Sequence, residues 1–321
     1  MWRRRCLLSC VSVTAFLLAA IVVVHAQEIG PPRPFEIIVP WGQGGSADKL
    51  ARKMAALMQP SLGPLRVTNI AGASGQKGLA QLKAVPADGR TLAILTGDTF
   101  GALAARQTDV RLDHFVAVAI LMRQPSALLV SENGRFKTWN DVVAAAKTST
   151  VRVAIAGPRS ADELTVNSFV RQGLRLVSVP HTKPGERHRA LLGGYADVLY
   201  EQLGDVRTFV GNAQMRPVLL LAPQRDPRLK DVPSAGELGF EVALPHFRAL
   251  IVRAGTDAGA IATLREAVAE ATKGPDYTQF LEEQYADADV ILSPEEANAF
   301  LRDSLARITS LAAAQDAMVG R

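Results

Sequence analysis

Short runs of β-branched and aliphatic residues recur along the chain at 35–39, 65–70, 91–95, 127–130, 151–155, 176–179, 197–200 and 218–221, and once more at 249–252. Between them lie stretches such as 46–58 and 162–173, whose apolar residues fall three and four apart. This alternation of short apolar runs with helical spacing predicts strand–helix units on mainly parallel sheets, an α/β fold. The strands divide into two sets at about Ser126, and two or three helices follow the late strand. If that strand rejoins the first sheet, the chain crosses twice between two lobes, and the paired crossings make a hinge. A cleft between such lobes gathers strand C-termini and helix N-termini, a common seat for a small ligand. Asp226-Pro227 and Val232-Pro233 mark a surface loop near the second crossing.

The first residues follow a different pattern. Arg3, Arg4 and Arg5 precede an apolar stretch over 7–24, and Val24-His25-Ala26 supplies small residues at −3 and −1 of a cut after Ala26. That is the layout of a secretory signal peptide. An uncleaved anchor is the alternative, since about 18 apolar residues nearly span a bilayer, but the polar, Pro-rich segment 27–34 favours cleavage. Processing as a lipoprotein at Leu7-Leu8-Ser9-Cys10 would leave almost no apolar core after the arginines. The expected organisation is a leader at 1–26, lobe 1 from 27–125 plus 248–321, and lobe 2 from 126–247. The mature protein is expected in the periplasm as a monomer.

Cleavage changes the chemistry available. The two cysteines, Cys6 and Cys10, lie in the leader, so the mature chain has no thiol for a disulfide, a nucleophile or a Cys-ligated metal. Loss of three arginines lowers the formal charge from +5 to +2, so the basic character belongs largely to the leader and no nucleic-acid surface is expected.

The first strand runs into Val39-Pro40-Trp41-Gly42-Gln43-Gly44-Gly45-Ser46-Ala47-Asp48, with a helix starting near Ser46. Glycines let the backbone turn N–H groups toward a ligand, and the helix start adds unpaired donors and a dipole that favours an anion such as a carboxylate. The same turn could simply be a tight connection. Gly42, Gly44 and Ala47 also fit the loose dinucleotide fingerprint, but no acidic residue ends the second strand to hold a ribose, so no nucleotide cofactor is expected. No Walker motif, Gly-x-Ser-x-Gly elbow or His-Glu-x-x-His occurs.

The order and spacing of several segments resemble one family, the periplasmic receptors of tripartite tricarboxylate transporters, often called Bug or TctC-type proteins. Val39-Pro40 through Gly44-Gly45 to Asp48, then Ala51-Arg52, resembles the first-loop signature, with Gly42 where proline is usual. The segment from Asn69 to Gly75 resembles an Asn-Arg-Pro-Gly-Ala-Gly-Gly loop with departures at Ile70, Ala71 and Ser74. Pro86-Ala87-Asp88-Gly89-Arg90-Thr91-Leu92 is similar to Pro-Asp-Gly-Tyr-Thr-Leu, and Thr96-Gly97-Asp98-Thr99 follows where a third ligand-facing loop is expected. Ala156-Gly157-Pro158-Arg159-Ser160 resembles the Ala-Gly-x-Gly-Ser of the opposite wall, and Leu191-Leu192-Gly193-Gly194 with Asp197, then Asp231-Val232-Pro233 with Glu237 and Gly239, complete the likeness.

The resemblance implies a type II periplasmic-binding-protein-like fold with a ligand cleft. It also implies a small organic acid held mainly by backbone N–H groups and waters from the first and Ala-Gly loops, and integral membrane transporter subunits as partners. The candidate ligand-binding residues are Trp41, Gln43, Gly44, Gly45, Ser46, Ala47, Asp48, Thr96, Asp98, Ala156, Gly157, Arg159, Ser160, His181 and Glu201. Several have bland alternatives: Trp41 as a core tryptophan, Asp48 as a carboxylate serving its own helix dipole, Arg159 as a solvated loop residue, Glu201 as a structural ion pair. Arg159 replaces a small glycine and would suit a second acid group if it pointed inward. Val179-Pro180-His181-Thr182-Lys183-Pro184-Gly185 lengthens the family's Val-Pro-Tyr-Lys-Gly by two residues, with His181 for tyrosine. His181 and His188 lack acidic neighbours for a metal pair, so no metal is expected. In His246-Phe247-Arg248, Phe247 reads as core and the outer two residues stay open.

A binding receptor needs export, two α/β lobes and paired Gly-rich loops. An enzyme, for example a periplasmic hydrolase, needs a nucleophile with an oriented base. With only five histidines, one in the leader, and Ser46 and Ser160 placed as helix caps or ligand contacts, the sequence points to a non-enzymatic receptor. A receptor that reports to a sensor protein instead of a transporter is the alternative reading of these residues.

Overall fold

The computed structural model describes residues 33–105, 108–240, 246–287 and 290–319; the leader, its cleavage site and both cysteines lie outside them. The chain begins with β1 (Phe35–Val39), α1 (Ser46–Leu62), β2 (Leu65–Asn69), α2 (Gln76–Ala84), β3 (Thr91–Thr96), α3 (Asp98–Ala104) and β4 (Phe115–Gln124). It then forms β5 (Ser126–Ser131), α4 (Trp139–Thr148), β6 (Val151–Ile155), α5 (Ala161–Arg171), β7 (Leu176–Pro180), α6 (Pro184–Leu192), β8 (Val198–Gln202), α7 (Leu203–Gly211) and β9 (Met215–Leu221). Last come β10 (His246–Arg253), α8 (Ala258–Lys273), α9 (Pro275–Glu283) and α10 (Pro294–Val319).

Two five-stranded sheets result, in the orders β2-β1-β3-β10-β4 and β7-β6-β8-β5-β9. The chain passes from the first to the second through Pro125 and returns at β10, so the late strand does rejoin the first sheet. The sheets are mixed, yet in each of them four of the five strands run the same way, as the sequence pattern suggests, and one runs against them. β1 pairs in parallel with β2 and β3, and β6 with β7 and β8, but β10 runs antiparallel to β3 and β4, and β5 antiparallel to β8 and β9. The reversed strands are β5 and β10, the first strand after each of the two crossings. β4 has no counterpart among the expected strands: its Phe115–Gln124 run is almost uniformly apolar, which shows no period.

Strand alternation sorts side chains onto two faces of each sheet. In the first sheet Ile37, Val39, Leu92 and Ile94 pack under α1, α8 and α9, while Ile38, Ala93 and Leu95 pack under α2, α3 and α10. In the second, Val153, Ile155, Val198 and Tyr200 face α4 and α5, and Ala154 and Leu199 face α6 and α7. All six residues of β3 are buried because helices cover both faces of this central strand. Trp139, Phe169 and Phe240 form an aromatic cluster in the second lobe, with ring centroids 4.9–6.1 Å apart. Among the described residues no helix is long and apolar enough to cross a membrane.

Candidate functional site

The C-terminal ends of β1, β3, β6 and β8 carry the chain into α1, α3, α5 and α7, and these four junctions converge. A cavity of about 40 Å³ lies among them. From the first lobe Trp41, Gly42, Gly45, Ser46, Ala47, Thr96, Asp98 and Arg248 line it; from the second come Ala156, Asp162, Thr182, Pro184, Arg187, Glu201, Gln202 and Asp205.

The first loop is rigid for local reasons. Gly44, at φ +86°, turns its N–H onto Asp48 Oδ2 at 3.0 Å. Asp48 also receives Arg52 Nη2 and Asn69 Nδ2, each at 3.0 Å, and these donors outweigh burial and hold its carboxyl below the ordinary range. Asn69 Nδ2 also donates to the Trp41 carbonyl at 3.1 Å. Trp41 donates its ring N–H to Thr96 Oγ1 at 3.0 Å, which fixes the indole across the cavity wall.

The N–H groups expected to hold an acid are largely taken by the protein's own carboxylates. On the second wall the Ala156 N–H donates to Asp162 Oδ2 at 2.7 Å and the Arg159 N–H to Glu163 Oε2 at 2.6 Å. The Ser46 N–H at the start of α1 donates to the Asp205 carboxylate of the second lobe, which also pairs with Lys49 Nζ at 3.4 Å. The lobes meet closely elsewhere too. Ser74 Oγ donates to the Pro158 carbonyl at 3.1 Å. Gly101 in α3 lies so near the Arg159 carbonyl that a Cβ built on it would sit 1.7 Å from that oxygen. No side chain larger than hydrogen fits there.

Charged side chains dominate the cavity. Arg187 Nη2 donates to Glu201 Oε2 at 2.7 Å, and His188 Nε2 lies 3.3 Å from the same oxygen. Burial alone would raise the Glu201 carboxyl, but Arg187 and His188 outweigh it and hold it at about 2. His246 Nδ1 lies 3.2 Å from Asp98 Oδ1, and its Nε2 lies 3.1 Å from the Tyr200 hydroxyl. Against burial, His246 and Arg248 hold Asp98 at about 2. Asp162 behaves oppositely: burial, then the charge of Asp98, pushes its carboxyl up to about 7. Arg248 is 2 % exposed. Its Nη2 donates to Ser46 Oγ at 2.5 Å and Gln202 Oε1 at 3.4 Å, its Nη1 to the Phe247 carbonyl at 3.0 Å, and its Nε has no partner. No carboxylate among the described residues lies within ion-pair distance of it.

Of the residues singled out from sequence, Trp41, Gly45, Ser46, Ala47, Thr96, Asp98, Ala156 and Glu201 line this cavity. Gln43, Gly44, Asp48, Gly157, Arg159, Ser160 and His181 do not. Gln43 and Gly44 are exposed. Asp48 braces the loop, and Ser160 caps α5 by accepting from the Glu163 N–H. Arg159 sits at φ +56° with its backbone toward Gly101, and the longer loop at 181–183 presents Thr182 to the cavity, with His181 N–H bonded to the Ile155 carbonyl. Asp162, Arg187, Gln202 and Asp205 are lining residues that the sequence did not single out, and Arg248, left open there, lines the cavity too. A signal existed for some. Asp162 and Asp205 each stand in the first turn of a helix that follows a strand end, and His246 and Arg248 alternate about Phe247 on a face otherwise apolar.

Residues 50–316 match the tripartite tricarboxylate transporter family receptor, TctC. The chain belongs to this family. Protein BugT of Bordetella pertussis is 29% identical over 301 residues, which covers 90% of this chain and 91% of BugT. Among solved structures, MatC from Rhodopseudomonas palustris with bound malate is 25% identical and covers 88% of this chain and 100% of MatC, with a TM-score of 0.79. A periplasmic transporter at 24% identity, covering 89% of this chain and 98% of that chain, has the same fold at a TM-score of 0.82. This TctC-family chain therefore has the two-lobe α/β fold of periplasmic binding proteins, and its family is one of solute-binding receptors, not enzymes.

Proposed function

We propose that this TctC-family chain is a monomeric, periplasmic receptor that captures a small carboxylate-bearing solute and presents it to the membrane subunits of a tripartite tricarboxylate transporter. Lobes comprising 27–125 plus 248–321 and 126–247 close on the solute, so that both walls contribute to affinity.

The observation that carries this reading is Arg248. A buried guanidinium is stable only when its donors are matched, and here they meet neutral oxygens with Nε left over. A carboxylate entering the cavity supplies the missing counter-charge and accepts two parallel N–H bonds in the geometry guanidinium favours. The MatC complex supports an acid as the guest, since malate is bound in that relative.

Calorimetric titration with mono-, di- and tricarboxylates tests this. At least one acid is expected to bind, and Arg248→Met to weaken it at least about 30-fold, as for removal of one partner of a desolvated charge pair. Equal affinity in the variant would refute the assignment of Arg248.

A further inference from the structure

Four carboxylates line the cavity against two guanidinium groups. For a site that receives acids this balance is reversed, and pairing does not cancel it. Glu201 is matched by Arg187 and His188, and Asp205 by Lys49 and the Ser46 N–H. Asp98 has His246. Asp162 has no cation within ion-pair distance among the described residues. Its Oδ2 accepts from the Ala156 N–H, while Oδ1, with the residue 2 % exposed, has no partner. Asp98, Asp162 and His246 bring one ligand atom each within 4.8 Å of one another.

We propose that Asp162 and Asp98 form a cation subsite opposite Arg248, and that the solute is a zwitterion: an organic acid carrying a protonated amine, held by its carboxylate at Arg248 and by its ammonium at Asp162. The inference rests on the receptor reading above and names the class of solute. An ammonium donates three N–H bonds and no acceptor, which suits two carboxylate oxygens with spare lone pairs. The elevated pKa of Asp162 agrees: with Asp98 nearby the carboxyl resists ionising until a positive group arrives. A metal ion fits the same corner less well. Both ring nitrogens of His246 already face partners, Nδ1 toward Asp98 and Nε2 toward Tyr200, which leaves no free lone pair directed at a third atom. Asp98 sits on α3 in the first lobe and Asp162 on α5 in the second. An ammonium between them would therefore bridge the lobes.

The test is calorimetry of the purified protein with acids that differ only by an amino group: aspartate against succinate, glutamate against glutarate, and 4-aminobutyrate against butyrate. In at least one pair the amino acid is expected to bind at least tenfold tighter, and Asp162→Asn to bring the ratio within that pair close to one. Asn keeps an oxygen for the Ala156 N–H, and a thermal melt verifies that the variant folds; Asp98→Asn is expected to reduce the ratio in the same direction. Deaminated acids that bind as well as or better than their partners, or a preference that survives in Asp162→Asn, would overturn the cation subsite while leaving the receptor reading intact. Tight binding of zinc or manganese that is lost in Asp162→Asn, with no amine preference, would replace the ammonium by a metal. Binding by no acid of either kind would overturn the receptor reading and this inference with it.

Discussion

Replacing Glu201 by glutamine keeps the shape of the side chain and removes its charge, which leaves Arg187 without its 2.7 Å partner in a place where the two side chains are 7% and 1% exposed. Breaking a buried ion pair by neutralising one member costs about 3–5 kcal/mol. The titration of Glu201 gives a similar figure. Its carboxyl lies at about 2 in the folded chain against 4.5 ordinarily, a difference worth roughly 3 kcal/mol. Because the folded value is the lower one, this stabilisation is complete above pH 4.5 and is lost as pH falls toward 2. At about 2 °C per kcal/mol for a chain this long, Glu201→Gln should melt about 6–10 °C below the parent at pH 7. The gap should narrow steadily between pH 4.5 and pH 2. Scanning calorimetry across that range measures both. The double variant Arg187→Met, Glu201→Gln should recover at least half of the loss, since no unpaired charge remains. A loss under about 1 kcal/mol at pH 7, or a double variant no more stable than the single, would refute the view that this pair is held by mutual compensation.

Other outcomes follow from the same geometry. Gly101→Ala places a methyl against the Arg159 carbonyl and should weaken solute binding at least tenfold with little change in the melting of the two sheets; unchanged affinity would mean that the lobes need not approach so far. Asp162→Asn should be more stable than the parent above pH 7, with the difference vanishing toward pH 4. The folded carboxyl titrates at about 7 against 3.8 ordinarily, so its neutral form favours folding at low pH and that advantage is lost as pH rises to 7. Asp98 on α3, His246 on β10 and Arg187 on α6 are the charged neighbours that set this value, and urea titration at several pH values reads it. Trp41 lines the cavity whereas Trp139 is buried in the second lobe. Solute should therefore change tryptophan fluorescence in the parent and not in Trp41→Phe.

How far the sequence led depended on whether a signal was local. The turn from Val39 to Asp48 couples a strand end, glycines and a helix start in one stretch, so Trp41, Gly45, Ser46 and Ala47 were legible as cavity residues. The direction of Asp48 was not, because its partners Arg52 and Asn69 are fixed only once α1 packs against β2. Arg159 reads as a cleft guanidinium because it replaces a glycine; in the fold its backbone sits at φ +56°, and the guanidinium groups that line the cavity are those of Arg187 and Arg248. β10 is recognisable as the returning strand, but β3 and β4 occupy both of its edges and helices cover both of its faces. Nothing in a local window says which buried face meets the second lobe. Asp162 and Arg187 are likewise two ordinary helix residues until the starts of α5 and α6, on opposite faces of the second sheet, meet at the cavity.

β10 carries His246 and Arg248 at the point where the chain re-enters the first sheet. Asp98 and Ser46 belong to the same lobe, on helices that follow strands of the first sheet, whereas Asp162 follows a strand of the second. For a zwitterion this separates encounter from retention. An arriving acid can dock on Arg248 while the lobes are apart, so substitutions at Arg248 should slow association. Asp162 is reached only after closure, so its loss should appear as a faster dissociation rate with association nearly unchanged. Residence time, and with it the interval in which a membrane partner can find the loaded receptor, would then be set by a single carboxylate on the second lobe.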